Sequence, residues 1–268
     1  MNIPTRTPTT FLLSLFALTL ASTSFAAPPP RTEIFRVDGV RREALVYPTA
    51  SVPVAGAPLV LVFHGHGGNV RHAASSLRVH LAWPEATVVY LQGLPGVPGI
   101  TDPAGIKTGW QKNPGEQGNR DLRFVDAVLA GLPRKYRIDA QRVFALGHSN
   151  GARFVHVLWD QRPAAFAAFC SGAAQGGPLI RGNAPRSILM MIGENDPLVP
   201  AAGQLLSIDL ARRVLQSDPD QAEVDGFLST EPGVAGTELA TYIHPGGHEF
   251  PAEAVEAAVA LFARHRLD

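Results

Sequence analysis

Residues 142–152 read RVFALGHSNGA, an apolar run that ends in a serine between two glycines. The following segment, ARFVHVLWDQ, has the character of a helix, so Ser149 falls where a strand passes into a helix. Two readings open. A serine ahead of a helix is favoured as a cap, because its hydroxyl accepts an orphan backbone N–H. A serine flanked by glycines on a strand-to-helix turn can also be a nucleophile held on a strained bend. A motif this short carries a false-positive risk, and the surrounding chain decides between the two.

Upstream, TEIFRV and REALVYP around the turn signal DG predict a hairpin within 31–57. PLVLVFHG at 58–65 is a continuous apolar and β-branched run, the pattern of a strand buried on both faces. A helix is expected over 71–82, a second buried strand at ATVVYLQG (86–93), and a helix in NRDLRFVDAVLAGLPRKYR, where Leu122, Val125, Val128 and Leu129 form a stripe. Downstream of Ser149, FAAFCSG, SILMMIGE (187–194) and LATYIHP (239–245) read as strands, with helices at 203–216 and 251–266. Strands alternating with helices predict an α/β fold with a mostly parallel central sheet and helices on both faces.

The chain has 268 residues, the size of one large domain, and 46% of them are hydrophobic, enough for a sizeable core. With 23 basic and 23 acidic residues the charge is balanced, which removes the electrostatic case for nucleic acid. The arginine pairs at 41–42 and 212–213 read as solvated faces. Residues 11–20, FLLSLFALTL, followed by STSFAAPPP, have the layout of a secretory signal with cleavage after Ala26. The apolar run is too short to span a bilayer. The expected organisation is a signal over 1–26 and a single catalytic domain over 27–268, exported to the periplasm or the medium, with no membrane attachment after cleavage. Cys170 is the only cysteine, so no internal disulfide is expected.

In parallel sheets ligands bind beyond the carboxyl ends of the strands. Ser149 closes one strand, Asp196 follows SILMMIGE within ENDPLVP, and His248 follows LATYIHP within GGHEF. The order Ser, Asp, His, each at a strand end, is the order of the α/β-hydrolase fold. A serine hydroxyl is a weak nucleophile near neutrality and needs a base. Histidine suits that task, and an aspartate would hold its tautomer. Singly each residue has a bland reading: Asp196 before Pro197 as a turn, His248 as a loop histidine. Their common order favours the triad.

HGHGG at 64–68 directly follows a buried strand. Acyl transfer places negative charge on a carbonyl oxygen, and backbone N–H groups aimed there stabilise it. Asn150, after the serine, and His66, with Gly65 as the near alternative, are the expected donors, and the glycines let that backbone come close to a ligand. A metal site at His64, His66 and His72 is the competing reading. No carboxylate or cysteine lies nearby in sequence to complete a zinc set, so neither metal nor other cofactor is expected.

HGHGGN, GWQ, DLRFVDAVLAGLPRKYRIDAQRVFALGHSNGA, GENDPLVP and GGHEFP together resemble the secreted esterases that include poly(3-hydroxybutyrate) depolymerases and bacterial feruloyl and acetylxylan esterases. The likeness extends over about residues 33 to 266. It implies a serine esterase with nucleophile, acid and base at Ser149, Asp196 and His248. His66 stands where many members of that family have a cysteine. The polymer-degrading members carry a linker and a binding domain not seen in this sequence, so a soluble short-chain or aromatic ester, or a hydroxyalkanoate oligomer, is the expected substrate. Peptidase or thioesterase activity on the same fold, and a non-catalytic binding role, are the rival readings.

The Gly/Pro-rich stretch 94–118 is expected as a long surface loop beside the strand ends, and such loops are often functional. It carries Trp110. Two readings stand level: Trp110 lines the substrate pocket with the backbone of Gly65, or it packs beneath the loop as an anchor.

Overall fold

The computed structural model describes residues 28–267. The expected signal at 1–26 lies outside the described residues. In chain order the strands are β1 (Arg31–Val37), β2 (Val40–Tyr47), β3 (Ala57–Phe63), β4 (Thr87–Leu91), β5 (Ile138–His148), β6 (Ala168–Gly172), β7 (Ser187–Gly193), β8 (Glu223–Asp225), β9 (Leu228–Pro232) and β10 (Glu238–His244). The helices are α1 (Val70–Leu77), α2 (Val79–Ala82), α3 (Arg120–Tyr136), α4 (Asn150–Gln161), α5 (Ala201–Leu215) and α6 (Ala252–Arg264).

The unbroken apolar run of β3 follows from its place in the middle of the sheet. Successive side chains of a strand point to opposite faces, and here both faces are covered. Leu59, Leu61 and Phe63 enter one core with α3, α4 and α5, while Val60 and Val62 enter the other with α1, α2 and α6. The sheet runs β1-β2-β4-β3-β5-β6-β7-β10-β9-β8. It is parallel from β4 through β10 and antiparallel at both ends. The parallel strands β3, β5, β7 and β10 therefore deliver the segments that follow them to one edge of the molecule.

The β1–β2 hairpin turns on Asp38 and Gly39, both with positive φ, as a two-residue turn between twisted strands requires. The expected helix at 71–82 is broken. Arg78 takes a left-handed conformation (φ 47°) that ends α1, and a single turn, α2, resumes after it. The antiparallel edge pair β8–β9 has no counterpart in the sequence reading. It is short and largely exposed, so it lacks an apolar run; its two-residue turn is Gly226-Phe227, with Gly226 at φ 59°.

Arg42 corrects the expectation of a solvated arginine pair. It is buried, its guanidinium donating to Asp121 at 2.9 Å and lying 4.2 Å from the centre of the Phe124 ring. Asp121 also accepts the backbone N–H of Gln111 at 2.9 Å, so this pair ties the end of the 94–118 loop to β2 and α3. Arg212 of the second pair is half-buried against Glu231. Among the described residues, no helix is long and apolar enough to cross a membrane.

Candidate active site

Ser149 occupies the first residue beyond β5 with φ 57° and ψ −119°, a conformation costly for any residue with a side chain. The turn is held from both sides. Its N–H donates to Gly172 O of β6 at 2.8 Å, and its carbonyl accepts Arg153 N at 2.9 Å to open α4. The flanking glycines have a steric cause. A Cβ on Gly151 would lie 2.2 Å from Phe63 O, and one on Gly147 would lie 2.3 Å from Gly151 O. Ser149 stands at the cap position of α4, yet its side chain makes no capping bond. The hydroxyl turns instead to His248, with Oγ 2.8 Å from Nε2.

The other nitrogen of His248, Nδ1, lies 2.7 Å from Asp196 Oδ2. Asp196 is buried after β7, and its Oδ1 accepts the N–H groups of Leu198 (2.8 Å) and Val199 (2.9 Å). Burial works against its charge, but these amides and His248 together hold the carboxyl below the ordinary aspartate range. Ionised Asp196 fixes the tautomer of His248 with the proton on Nδ1, leaving Nε2 as the acceptor facing Ser149. The same carboxylate closes the bend through Pro197 by accepting the two amides that follow it.

The segments that carry Asp196 and His248 are bound to each other. Asn195 N donates to Gly246 O at 3.0 Å, and Asn195 Nδ2 to Pro245 O at 2.7 Å. His148, next to the serine, reaches the third segment. Its Nε2 lies 2.7 Å from the carbonyl oxygen of His248, where only a donor N–H makes a bond. Burial lowers the pKa of His148 to about 4, with the neighbouring His248 adding to the effect. His148, Asn195 and Gln204, whose Nε2 approaches Asp196 Oδ2 at 3.4 Å, were missed in the sequence reading. Only His148 carried a signal, its place beside the serine.

The backbone after β3 passes close to Ser149. A Cβ on Gly65 would lie 3.5 Å from Ser149 Cβ. Among the described residues, the amides of His66 and Asn150 donate to no protein acceptor. For Asn150 this follows from its place in the first helical turn. The ring of His66 turns away to Asp102, Nε2 to Oδ2 3.0 Å. The ring of His64 is engaged by Gly65 O (2.7 Å) and Gly93 N (3.0 Å). Among the described residues, no group of three His, Cys, Asp or Glu side chains is placed to hold a metal ion.

These segments border a cleft of about 900 Å³, with Gly65, His66, Ser149, Asn150 and His248 in its wall. Trp110 is not in that wall, which corrects the pocket reading. It is fully buried, its ring stacked on Phe154 at 5.5 Å and edge-on to Phe63 at 5.2 Å, with Nε1 donating to His64 O at 3.0 Å. The side chain of Asn150 clamps its backbone from both sides: Oδ1 accepts Trp110 N at 2.7 Å, and Nδ2 donates to Trp110 O at 3.0 Å. The end of the 94–118 loop is thus rooted in the core beneath the strand ends, and only part of the stretch is the surface loop expected.

A mostly parallel sheet with helices on both faces, and a serine on a strained turn after a central strand, define the α/β-hydrolase fold. The acetyl xylan esterase of Aspergillus awamori superposes with a TM-score of 0.68 over 87% of this chain and 99% of that one, at 13% identity. In sequence the chain is 30% identical to the protein NocK of Nocardia uniformis subsp. tsuyamanensis over 166 residues, 58% of this chain and 45% of that protein. It is 28% identical to feruloyl esterase C of Emericella nidulans over 159 residues, 55% of each chain. The chain spans about half the length of the curated relatives it matches. No family model matches it.

Proposed function

We propose that the chain is a secreted serine esterase that hydrolyses small carboxylic esters through an acyl-enzyme on Ser149. The observation that carries this reading is the hydrogen-bonded series Ser149 Oγ–His248 Nε2 (2.8 Å) and His248 Nδ1–Asp196 Oδ2 (2.7 Å) at the wall of a cleft. The name of the Emericella nidulans relative, a feruloyl esterase, supports an ester substrate.

In this mechanism His248 takes the Ser149 proton as Oγ attacks the ester carbonyl carbon. The carbonyl oxygen, now negative, receives the N–H groups of His66 and Asn150, and Asp196 stabilises the imidazolium. As the tetrahedral intermediate collapses, the alkoxy C–O bond breaks and His248 passes its proton to the leaving alcohol. Water, deprotonated by the same ring, then releases the acid and restores the serine. Short-chain or aromatic acyl groups and hydroxyalkanoate oligomers are the proposed substrates.

Turnover of p-nitrophenyl acetate by the wild type, with Ser149→Ala reduced at least about 10³-fold while still folded, is the expected result. A folded Ser149→Ala protein with full activity would overturn the reading. Turnover of peptides or thioesters but not oxygen esters would move the assignment within the fold, and no turnover of any acyl substrate would leave a binding protein.

A further inference from the structure

The charge around the cleft is one-sided. Among the described residues, its wall contains Lys112 and Arg153 but no aspartate or glutamate. Of the carboxylates around it, Asp196 lies buried behind His248, Asp102 is buried and bound by His66 and the amides of Ile106 and Lys107, and Glu249, exposed beside His248 and outside the wall, accepts the N–H of Gly247 at 2.9 Å.

Arg153 stands one helical turn beyond Ser149. Its guanidinium is held by oxygens without formal charge: the carbonyls of Lys112 (2.9 Å), Gln175 (2.8 Å) and Gly176 (2.7 Å), and the side-chain oxygen of Asn113 (3.1 Å). Burial lowers its pKa, offset in part by the charge of Glu116. That carboxylate is itself taken up by the amides of Lys112 (2.5 Å) and Asn113 (3.2 Å). Lys112 is half-buried, and its ammonium donates to Pro98 O at 3.0 Å, with donor capacity to spare. A clamp between the 112–113 and 175–176 segments accounts for the carbonyl bonds of Arg153. It does not account for Lys112, which borders the cleft beside Pro98.

Among the described residues the Lys112 ammonium pairs with no carboxylate, which leaves it open to a ligand that brings the opposite charge. Clefts lined by one sign of charge also concentrate ligands of the other. From this placement, and resting on the esterase reading above, we infer that the site takes esters bearing a second, ionised acid group. That carboxylate pairs with Lys112, and Arg153 adds to the positive field around it.

Two matched pairs of substrates test this. Para-acetoxybenzoate against para-acetoxybenzamide places the charge on the alcohol half; monomethyl adipate against methyl adipamate places it on the acyl half. The anionic member of at least one pair is expected to have a kcat/KM about tenfold higher, equal to about 1.4 kcal/mol. The ratio should fall towards one in Lys112→Gln, and should shrink as salt is added, because exposed charges are screened. Equal or faster turnover of the neutral member in both pairs would overturn the inference, as would a ratio unchanged in Lys112→Gln. p-Nitrophenyl acetate separates the two levels. Its turnover without any anion preference sinks this inference alone, whereas no turnover of any ester sinks the esterase reading and this inference with it.

Discussion

Replacing Trp110 by alanine separates a core anchor from a pocket wall. The side chain is fully buried between Phe63 and Phe154, and its indole N–H satisfies the carbonyl of His64. Truncating a buried tryptophan to alanine costs about 3–5 kcal/mol. The upper part of that range applies here, because the bond to His64 O is lost along with the packing. In a domain of this size each kcal/mol lowers Tm by about 2–4 °C, so a drop of about 8–20 °C is expected in thermal denaturation followed by circular dichroism. Because Asn150 clamps Trp110, activity should also fall. It should fall by a common factor across acetyl, butyryl and feruloyl esters, since the ring touches none of them. Trp110→Phe should recover most of the stability. A Tm within about 2 °C of wild type, together with a reordered ranking of esters, would refute the reasoning and restore Trp110 to the pocket.

Arg42→Ala should destabilise the protein by about 3–5 kcal/mol in urea titration, because it strands the buried carboxylate of Asp121; a loss below about 1 kcal/mol would mean that the pair is solvated. Acid should weaken the fold earlier than carboxylates alone would cause. Burial lowers the pKa of His64 and His148 to about 4 and of His156 to about 3, while the unfolded chain takes up these protons near pH 6.5. Their contribution to stability is therefore complete above pH 6.5 and declines as the pH falls towards 4, and a Tm that stays flat across that window would contradict it. His148→Phe removes the bond that seats the His248 backbone, and kcat should drop about tenfold or more with KM little changed, His148→Gln recovering part of the loss. An equal kcat in His148→Phe would make His148 a packing residue.

The elements that could be read from sequence are those whose environment leaves a pattern in composition. Strands β3, β5 and β7 are central and parallel, so they carry apolar runs, and the segments that follow them hold Ser149 and Asp196 in readable order. Where two environments produce the same residue type, the sequence was silent. Trp110 in a Gly/Pro-rich stretch looks alike whether it faces substrate or the core, and the answer lies in Phe63 and Phe154, nearly fifty residues away in either direction along the chain. Arg42 reads as a surface charge because its partner, Asp121, sits on a distant helix. The edge strands β8 and β9 bury little, so no apolar periodicity marks them. His148 was visible beside the serine, but its bond to His248 O exists only once β5 and the loop after β10 are brought together.

Labelling Ser149 with an organophosphate asks directly whether it acts as the proposed nucleophile. Diethyl p-nitrophenyl phosphate transfers its phosphoryl group to an activated serine and releases p-nitrophenol. Incubation with the protein, followed by intact-mass measurement and peptide mapping, should give one diethylphosphoryl adduct per chain, located on Ser149. p-Nitrophenol should appear in equal amount, and Ser149→Ala and His248→Gln should remain unlabelled. Stoichiometric labelling at another residue, or an unmodified Ser149 in protein that still hydrolyses p-nitrophenyl acetate after treatment, would contradict the account.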